Sequence, residues 1–457
     1  MHTLDEANAV IAVLWARIEV LEARMKRDSS NSSRPPSADP PGTPPRRSPA
    51  SGRARGAQPG HPAHLRLQVD SEQIDAVVEH YPSACAHCDA PLPADAGLVV
   101  GDPVCHQVTE LPPVRAVVTE HQLYRVRCPA CQRETRATLP SDVPSGAFGP
   151  RLQATVAVLS GRYRLSRREV VGVCGDLLGA PISLGSVDRL CRDTATALAA
   201  PVAEIAAAVR DAPVVHADET GWRQAGERRW LWVVVTATET LFALAASRGR
   251  GVIKGLLGED FAGYLVSDRW SAYAWVDETR RQLCWAHLAR AFQALVDRGG
   301  TARPFGADAC DLVGGLFAVW HAAHADPVLR ATLAADMRPI QDALYAVLDR
   351  GLDNPVNDVN GLCHDLLMHW PSLWTFVTTP GVEPTNNTAE RAIRPAVLWR
   401  KGSFGTQSDS GNAFVARMLS VAATCKQRNR SLTAYLTNVC TAAQAGLPVP
   451  SLLAASA

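Results

Sequence analysis

No apolar run in the 457 residues reaches the roughly 18 positions that a membrane helix needs. The best stretch, residues 231–246, is broken by Glu239, so no membrane association is expected. No secretory leader is legible either, because Asp5, Glu6, Arg17, Glu19 and Glu22 interrupt any apolar segment near the start. Cysteine is sparse at 12 residues, which excludes a disulfide scaffold and leaves thiols or metal sites as the expectation. There is no excess of either charge. Lys plus Arg number 46 and Asp plus Glu 45, giving +1, which excludes a uniformly basic coat or a wholly acidic chain but not a local basic surface. No Gly-rich phosphate cradle and no internal repeat are visible, so no nucleotide cofactor is expected. What is present is ordinary: 47% hydrophobic and 20% charged residues, in a length sufficient for about three domains. The expectation is a soluble, cytoplasmic, multidomain chain.

Along the chain the texture changes repeatedly. Leu4, Ile11, Ile18 and Met25 are spaced by seven, with Ala7, Leu14 and Leu21 three positions after the first three. This is an a/d seam over residues 1–28 that pairing of chains would bury, although docking on its own chain is an alternative. Residues 29–64 are rich in Pro, Ser, Gly and Ala and carry Arg34, Arg46, Arg47, Arg53 and Arg55 against Asp39 alone. Such a segment reads as a flexible basic linker, either merely solvated or able to lie along phosphates. Residues 65–140 read as short strands and turns. Residues 145–207 read as helical, with RREVVGVCGDLLG (167–179), a short turn, and a second helix capped at Ser186. That order suggests a helix-turn-helix, though plain helical hairpins look alike. From 208 to 289, PVVHAD (213–218), RRWLWVVVTAT (228–238), TLFALAASRG (240–249), GYLVSD (263–268) and the start of RQLCWAHLARAF (281–292) read as strands, with a helix at 251–260. They predict a mixed sheet with helices on its faces. Residues 290–382 read as helices, and NNTAERAIRPAVLWRKGSFG (386–405) opens another before a helical tail at 426–457. The fold class is thus multidomain, α+β with α/β character.

Two constellations carry chemistry. Cys85-Ala-His-Cys88 and Cys128-Pro-Ala-Cys131 are Cys-x-x-Cys knuckles separated by 39 residues, each able to supply half of a tetrahedral structural Zn²⁺ site. His87, or His106 beside Cys105, is an alternative ligand, and two unrelated pairs of thiols is the plainer reading. Most of the other cysteines read as core. The second constellation is acidic. Asp218 and Asp268 each end an apolar strand, and Glu390 sits in a helical stretch behind Asn386 and Asn387, either of which can cap it. Carboxylates brought together from neighbouring strands repel one another unless a divalent cation lies between them. Mg²⁺ or Mn²⁺ suits such oxygen ligands. Three acids can hold two ions about 3.5–4 Å apart, an arrangement suited to in-line phosphoryl displacement. Taken singly, each acid also reads as a cap or an exposed residue. Glu219 and Glu383 are substitutes, with Glu219 on the opposite sheet face from Asp218 if the strand continues.

HADETGWR (216–223), YLVSDRWSAY (264–273), CWAHLARAF (284–292) and above all EPTNNTAERAIRPAVLWRKGSFG (383–405) resemble the transposases of the insertion sequence 66 family. The resemblance extends to GAQPGHP (56–62), the paired knuckles and the heptads. It implies a ribonuclease-H-like core, in parts 208–289 and 383–425 around a helical insertion at 290–382. It also implies an Asp-Asp-Glu triad of Asp218, Asp268 and Glu390 holding Mg²⁺ or Mn²⁺, and cleavage and joining of DNA at element ends. DNA is then the expected partner, with a homo-oligomer and small accessory transposition proteins. Arg391, Arg394, Arg400 and Lys401 belong to a local excess of positive charge over residues 386–430, which fits a DNA-facing surface or a solvated helix. His287 reads equally as a neighbour of the metals or a buried histidine. Trp222, Trp230, Trp232, Trp270 and Trp285 read mainly as core, with base stacking as the alternative. The competing function is a zinc-dependent DNA-binding regulator with an inactive nuclease core. A nuclease that cuts without joining is a third.

Overall fold

The computed structural model describes residues 13–15, 18, 68–140 and 143–453. The heptads are thus seen only at Val13–Trp15 and Ile18, which are helical, with Leu14 and Ile18 exposed. The rest of the expected coiled coil and the linker at 29–64 lie outside the described residues. Those residues divide into two compact units between Val114 and Arg115.

The smaller unit, residues 68–114, has little regular structure beyond single helical turns at Ser71–Gln73 and Ala96–Leu98. Its ends are tied by Gln107, which accepts from the Val69 N–H at 2.8 Å and donates to the Val69 carbonyl at 3.0 Å. The larger unit opens with an antiparallel pair, β1 (Arg125–Arg127) and β2 (Glu134–Arg136).

Four helices follow: α1 (Pro150–Gly161), α2 (Arg167–Asp176), α3 (Leu184–Ala197) and α4 (Ala199–Arg210). Ser166 and Glu169 form a reciprocal capping box on α2. The cap of α3 is Ser183, not Ser186. Ser186 lies inside the first turn and donates its N–H to the Ser183 hydroxyl, satisfying an orphan donor that a start at 186 would have left to the turn. Val170, Cys174, Val187, Leu190, Ile205 and Val209 from these helices enter the same core as sheet residues Val215, Ala217, Trp232 and Val234.

The sheet comprises β3 (Val214–Gln224), β4 (Glu227–Val235), β5 (Thr240–Ala245), β6 (Tyr264–Ser267) and β7 (Arg281–Leu283). Its order is β5-β4-β3-β6-β7. The first three strands form an antiparallel meander, and β6 and β7 add in parallel. The helix α5 (Arg250–Leu257) supplies the crossover into β6, as parallel pairing requires. β3 runs six residues past the expected end at Asp218, because β4 pairs with it as far as Gln224↔Glu227 and Trp222 is buried. Asp218 is therefore mid-strand, whereas Asp268 does follow the last residue of β6.

The period-2 pleat sorts side chains cleanly. Val215, Ala217, Trp232 and Val234 face α1–α4 and α5. Trp222, Leu231, Val233 and Val235 face the opposite side, where Ala389, Ile393 and Ala396 of α11 (Asn387–Ser403) cover them. Between β7 and α11 lie α6 (Trp285–Arg298), α7 (Ala302–Ala325), α8 (Pro327–Gly351), α9 (Asn357–Met368) and α10 (Trp370–Thr378), with a core of their own around Trp285, Phe292, Leu316 and Phe376. α12 (Asp409–Gln427) and α13 (Leu432–Gln444) complete the chain. α12 is bolted to the β4–β5 turn. Glu239 accepts from Arg428, Thr236 and Thr238, and although burial works to raise its pKa, these partners outweigh it and the carboxyl ends below its usual value.

Gly306 lets α7 close on α6. A Cβ there would lie 2.7 Å from the Phe292 carbonyl oxygen and 2.8 Å from the Val296 nitrogen, both backbone atoms that cannot yield cheaply. Gly306→Ala should cost about 1–3 kcal/mol by forced overpacking, read as a fall in Tm by thermal denaturation. An unchanged Tm would show that the two helices part freely.

Candidate active site

The sheet register carries the first two acids to one place. Val214, Val215 and His216 of β3 lie opposite Tyr264, Leu265 and Val266 of β6. Continuing that parallel register two residues sets Asp218 level with Asp268, on the sheet face that α11 covers. The Asp268 carboxylate accepts the Trp270 N–H at 2.9 Å, and its backbone carbonyl accepts from the buried Arg281. These bonds hold the turn out of β6 in place.

The third acid arrives by a different device. Asn386 sits at the N-cap position of α11 but makes no side-chain capping bond. Its amide instead donates to the Ala217 carbonyl at 2.7 Å, and its backbone N–H donates to the Cys284 sulfur at 3.1 Å. Cys284 in turn donates its N–H to the Ser267 carbonyl at 2.9 Å. The start of α11 is thus tied to β3, to the end of β6 and to the turn after β7. Glu390 lies one helical turn on. Its charge and that of Asp268 both act on Asp218.

The electrostatics are uneven. Burial pushes the Asp218 pKa up to about 8, the charges of Glu219, Asp268 and Glu390 add to the rise, and the Glu219 N–H at 2.9 Å opposes it. No cation is within salt-bridge reach of Asp218 or Asp268 among the described residues. Glu390 has two loose partners, His287 Nδ1 at 3.5 Å and Arg290 at 3.7 Å, and its buried Oε1 makes no hydrogen bond. His287 Nδ1 is equally without one. Burial, then Arg290, lower the His287 pKa, so the ring is neutral and does not balance the acids. His216 is likewise held neutral, its pKa pushed down to about 4 mainly by burial. A cluster of acids with an orphaned buried oxygen and a carboxyl forced toward its protonated form fits a divalent cation.

Glu219 shows the contrast. It lies on the other face of β3, buried, with Tyr273 donating to one oxygen and Arg248 to the other at 2.6 Å. Burial raises its pKa against the pull of both partners. This carboxylate is already satisfied and faces away from Asp218, so it does not replace it. Glu383 stays in the loop before α11.

One neighbour escaped the sequence reading. Cys284, taken as core, has its sulfur within 4.8 Å of ligand atoms of both His287 and Glu390. The three-residue spacing of Cys284 and His287 across a strand-to-helix junction was the available signal. Burial pushes the thiol up to about 11, so it is a hydrogen-bonding bridge in this state rather than a thiolate. Of the expected DNA contacts, Arg391, Arg394 and Lys401 are exposed. Arg400 instead turns inward to Thr220 Oγ1 at 3.0 Å and the Gly221 carbonyl. Trp222, Trp232 and Trp285 are core, while Trp270 is partly exposed.

The two knuckles are described separately, since they fall in different units. At each, the backbone folds back on itself: the Asp89 N–H donates to the Cys85 carbonyl and the Gln132 N–H to that of Cys128, both Asp89 and Gln132 having positive φ. Backbone N–H groups of His87 and Cys88 lower the Cys85 pKa, and those of Cys131 and Ala130 lower that of Cys128. Each turn thus favours the thiolate form of its first cysteine.

Residues 145–413, more than half the chain, match the family model "Transposase IS66 family". The chain belongs to the IS66 transposase family. Residues 1–67 match a separate family of unknown function, DUF6444. A curated relative, "Uncharacterized protein y4qI" of Sinorhizobium fredii (strain NBRC 101917 / NGR234), is 24% identical over 88% of this chain and 77% of its own length. Family membership suggests a function in transposition. Among the described residues, no helix is long and apolar enough to cross a membrane.

The acidic cluster makes a stability prediction. Because folding raises the Asp218 pKa from its ordinary value to about 8, the folded state holds the proton more tightly than the unfolded one. Its contribution to stability is therefore present at low pH and lost as pH rises from about 4 toward about 8. Metal-free protein should lose Tm across that window, Mg²⁺ should restore it at pH 8, and Asp218→Asn should flatten both responses. A wild-type Tm at pH 8 indifferent to Mg²⁺ would remove the cation site.

Proposed function

We propose that the chain is an Asp-Asp-Glu transposase on a ribonuclease-H-like core, cutting DNA at the ends of an insertion element and joining the freed ends to target DNA. The supporting observation is that β3 and β6 pair in parallel up to His216↔Val266, two residues before Asp218 and Asp268, while the Asn386 amide ties the start of α11 to Ala217 and the charges of Asp268 and Glu390 both act on Asp218. The meander-then-parallel order β5-β4-β3-β6-β7, with α11 closing over it, is the framework such a site needs.

Asp218, Asp268 and Glu390 would hold Mg²⁺ or Mn²⁺. Bound there, two ions supply charge neutralisation at the phosphate and activation of the attacking oxygen. The protein's share is positioning. Asp218 is held by its pairing with Val233 of β4, Asp268 by the turn that Arg281 braces, and Glu390 by the first turn of α11. Cys284 and Asn386 keep these elements in register, so little reorganisation is required when a phosphodiester arrives. Water serves as nucleophile for cutting, and a DNA 3′-hydroxyl for joining. Exposed Arg391 and Arg394 on α11 would meet the DNA backbone.

The remaining modules read as end-binding and pairing devices. Cys85 with Cys88, and Cys128 with Cys131, would each offer two thiolates to structural Zn²⁺, α2 and α3 would contact the element end, and the heptads would pair two chains. The inactive-core regulator is less favoured, because a scaffold gains nothing from keeping three repelling acids together.

Asp218→Asn should abolish Mg²⁺-dependent cutting and joining of labelled end DNA by at least about a thousandfold while leaving end binding intact. Retained joining would refute its role, and cutting without joining would favour a simple nuclease. Separately, Cys85→Ser with Cys128→Ser should remove about one zinc per chain by metal analysis, and unchanged zinc content would eliminate the knuckles as zinc ligands.

A further inference from the structure

β3 and α11 continue past the acids and build a second feature between them. Where Arg400 meets Thr220 and Gly221, an open cavity of about 590 Å³ begins, lined chiefly by Trp222, Arg223, Arg228, Arg400, Lys401 and Phe404. Four of these six are cations and no lining residue is acidic. The volume is that of a small-molecule site.

Phe404 is the unusual member. It ends α11 in the left-handed conformation, φ +59°, a place ordinarily given to glycine, and its side chain is 80% exposed. A bulky side chain in that region is strained, and an aromatic ring left in water contributes nothing to the core. The loop behind it is firmly built. Gly405, at φ +110°, packs where any Cβ would run into the Arg223 carbonyl. The Thr406 N–H donates to that carbonyl at 3.0 Å, and the Ala225 N–H donates to the Thr406 carbonyl at 2.8 Å. Trp222 Nε1 reaches the Thr406 hydroxyl at 3.2 Å, and Gln224 bridges Asn412 and Asp409. The ring is therefore presented by a rigid frame rather than by a mobile tip.

An outward aromatic ring beside cations is the arrangement that stacks a base while its phosphate is neutralised. The spacing fits a strand leaving the acids. Five residues of β3 separate Asp218 from Arg223, ~17 Å of strand. Ten residues of α11 separate Glu390 from Arg400, ~15 Å of helix. At ~3.4 Å per nucleotide this is about four or five nucleotides.

We propose that this cavity is a subsite for one unpaired nucleotide of the DNA strand that passes through the active site, with the base stacked on Phe404 and the phosphates met by Arg223, Arg228 and Lys401. The inference rests on the transposase reading for the strand's path, but its test does not need catalysis. The full chain is titrated with single-stranded thymidine oligomers and, in parallel, photocrosslinked to the same oligomers carrying one 5-iodouracil. The crosslink should map to Phe404. Phe404→Ala should weaken single-strand binding about tenfold without changing its salt dependence, and Phe404→Trp should restore it. Lys401→Ala should reduce the salt slope by about one. A blunt duplex should be much less sensitive to Phe404→Ala. Wild-type affinity in Phe404→Ala, an equal loss for blunt duplex, or crosslinks confined to other residues would overturn the subsite. Asp218→Asn should bind the oligomers normally, so a failure at Phe404 and a failure of the catalytic reading are read in different assays.

Discussion

The structure turns on a buried carboxyl, Asp218, that lies under the charges of Glu219, Asp268 and Glu390. Parallel pairing of β3 with β6 up to His216↔Val266 fixes how the two strands lead to Asp218 and Asp268, because a one-residue slip would turn every side chain of β6 to the wrong face. Docking of α11 then adds Glu390. Burial and the charges nearby push Asp218 toward its protonated form, which is the signature of a site that lacks a counter-charge. Two residues on one strand make the point. Glu219 is buried but answered by Arg248 and Tyr273, while Asp218 is left to its acidic neighbours.

The ties that maintain this arrangement are short and polar. Asn386 gives up helix capping to bond the Ala217 carbonyl, and Cys284 accepts the Asn386 N–H while donating its own to Ser267. A chain segment of some hundred residues, α6 to α10, leaves the sheet after β7 and returns at α11. It has an apolar core of its own around Trp285, Phe292 and Phe376. Long excursions of this kind are tolerated because closure entropy grows only slowly with loop length. The ties at both ends are what make the return precise enough for a site.

Much of this was legible in the amino acids. The apolar runs of β4, β5 and β6 and the helical periodicities announced themselves, and the Asn-Asn-x-x-Glu-Arg string singled out Glu390 as family resemblance rather than pattern. The end of β3 was not legible. Asp-Glu-Thr-Gly has poor strand propensity, and only pairing with β4 and burial of Trp222 carries the strand through it. The α3 cap was misplaced because Ser183 and Ser186 offer the same hydroxyl, and only the fold decides which one accepts. Cys284 was missed because a lone cysteine reads as core until its partners are in view. The inward turn of Arg400 was hidden for the same reason: charge excess along a helix says nothing of which cations the fold consumes.

Membership of the IS66 transposase family suggests transposition, and the proposed chemistry depends on the three acids sharing metal ions. The direct measurement is anomalous diffraction from crystals of the full chain soaked in Mn²⁺. The account predicts manganese peaks within coordination distance of Asp218, Asp268 and Glu390 together, which vanish in Asp218→Asn. Ordered manganese found only elsewhere, with the three carboxylates oriented apart, would contradict it.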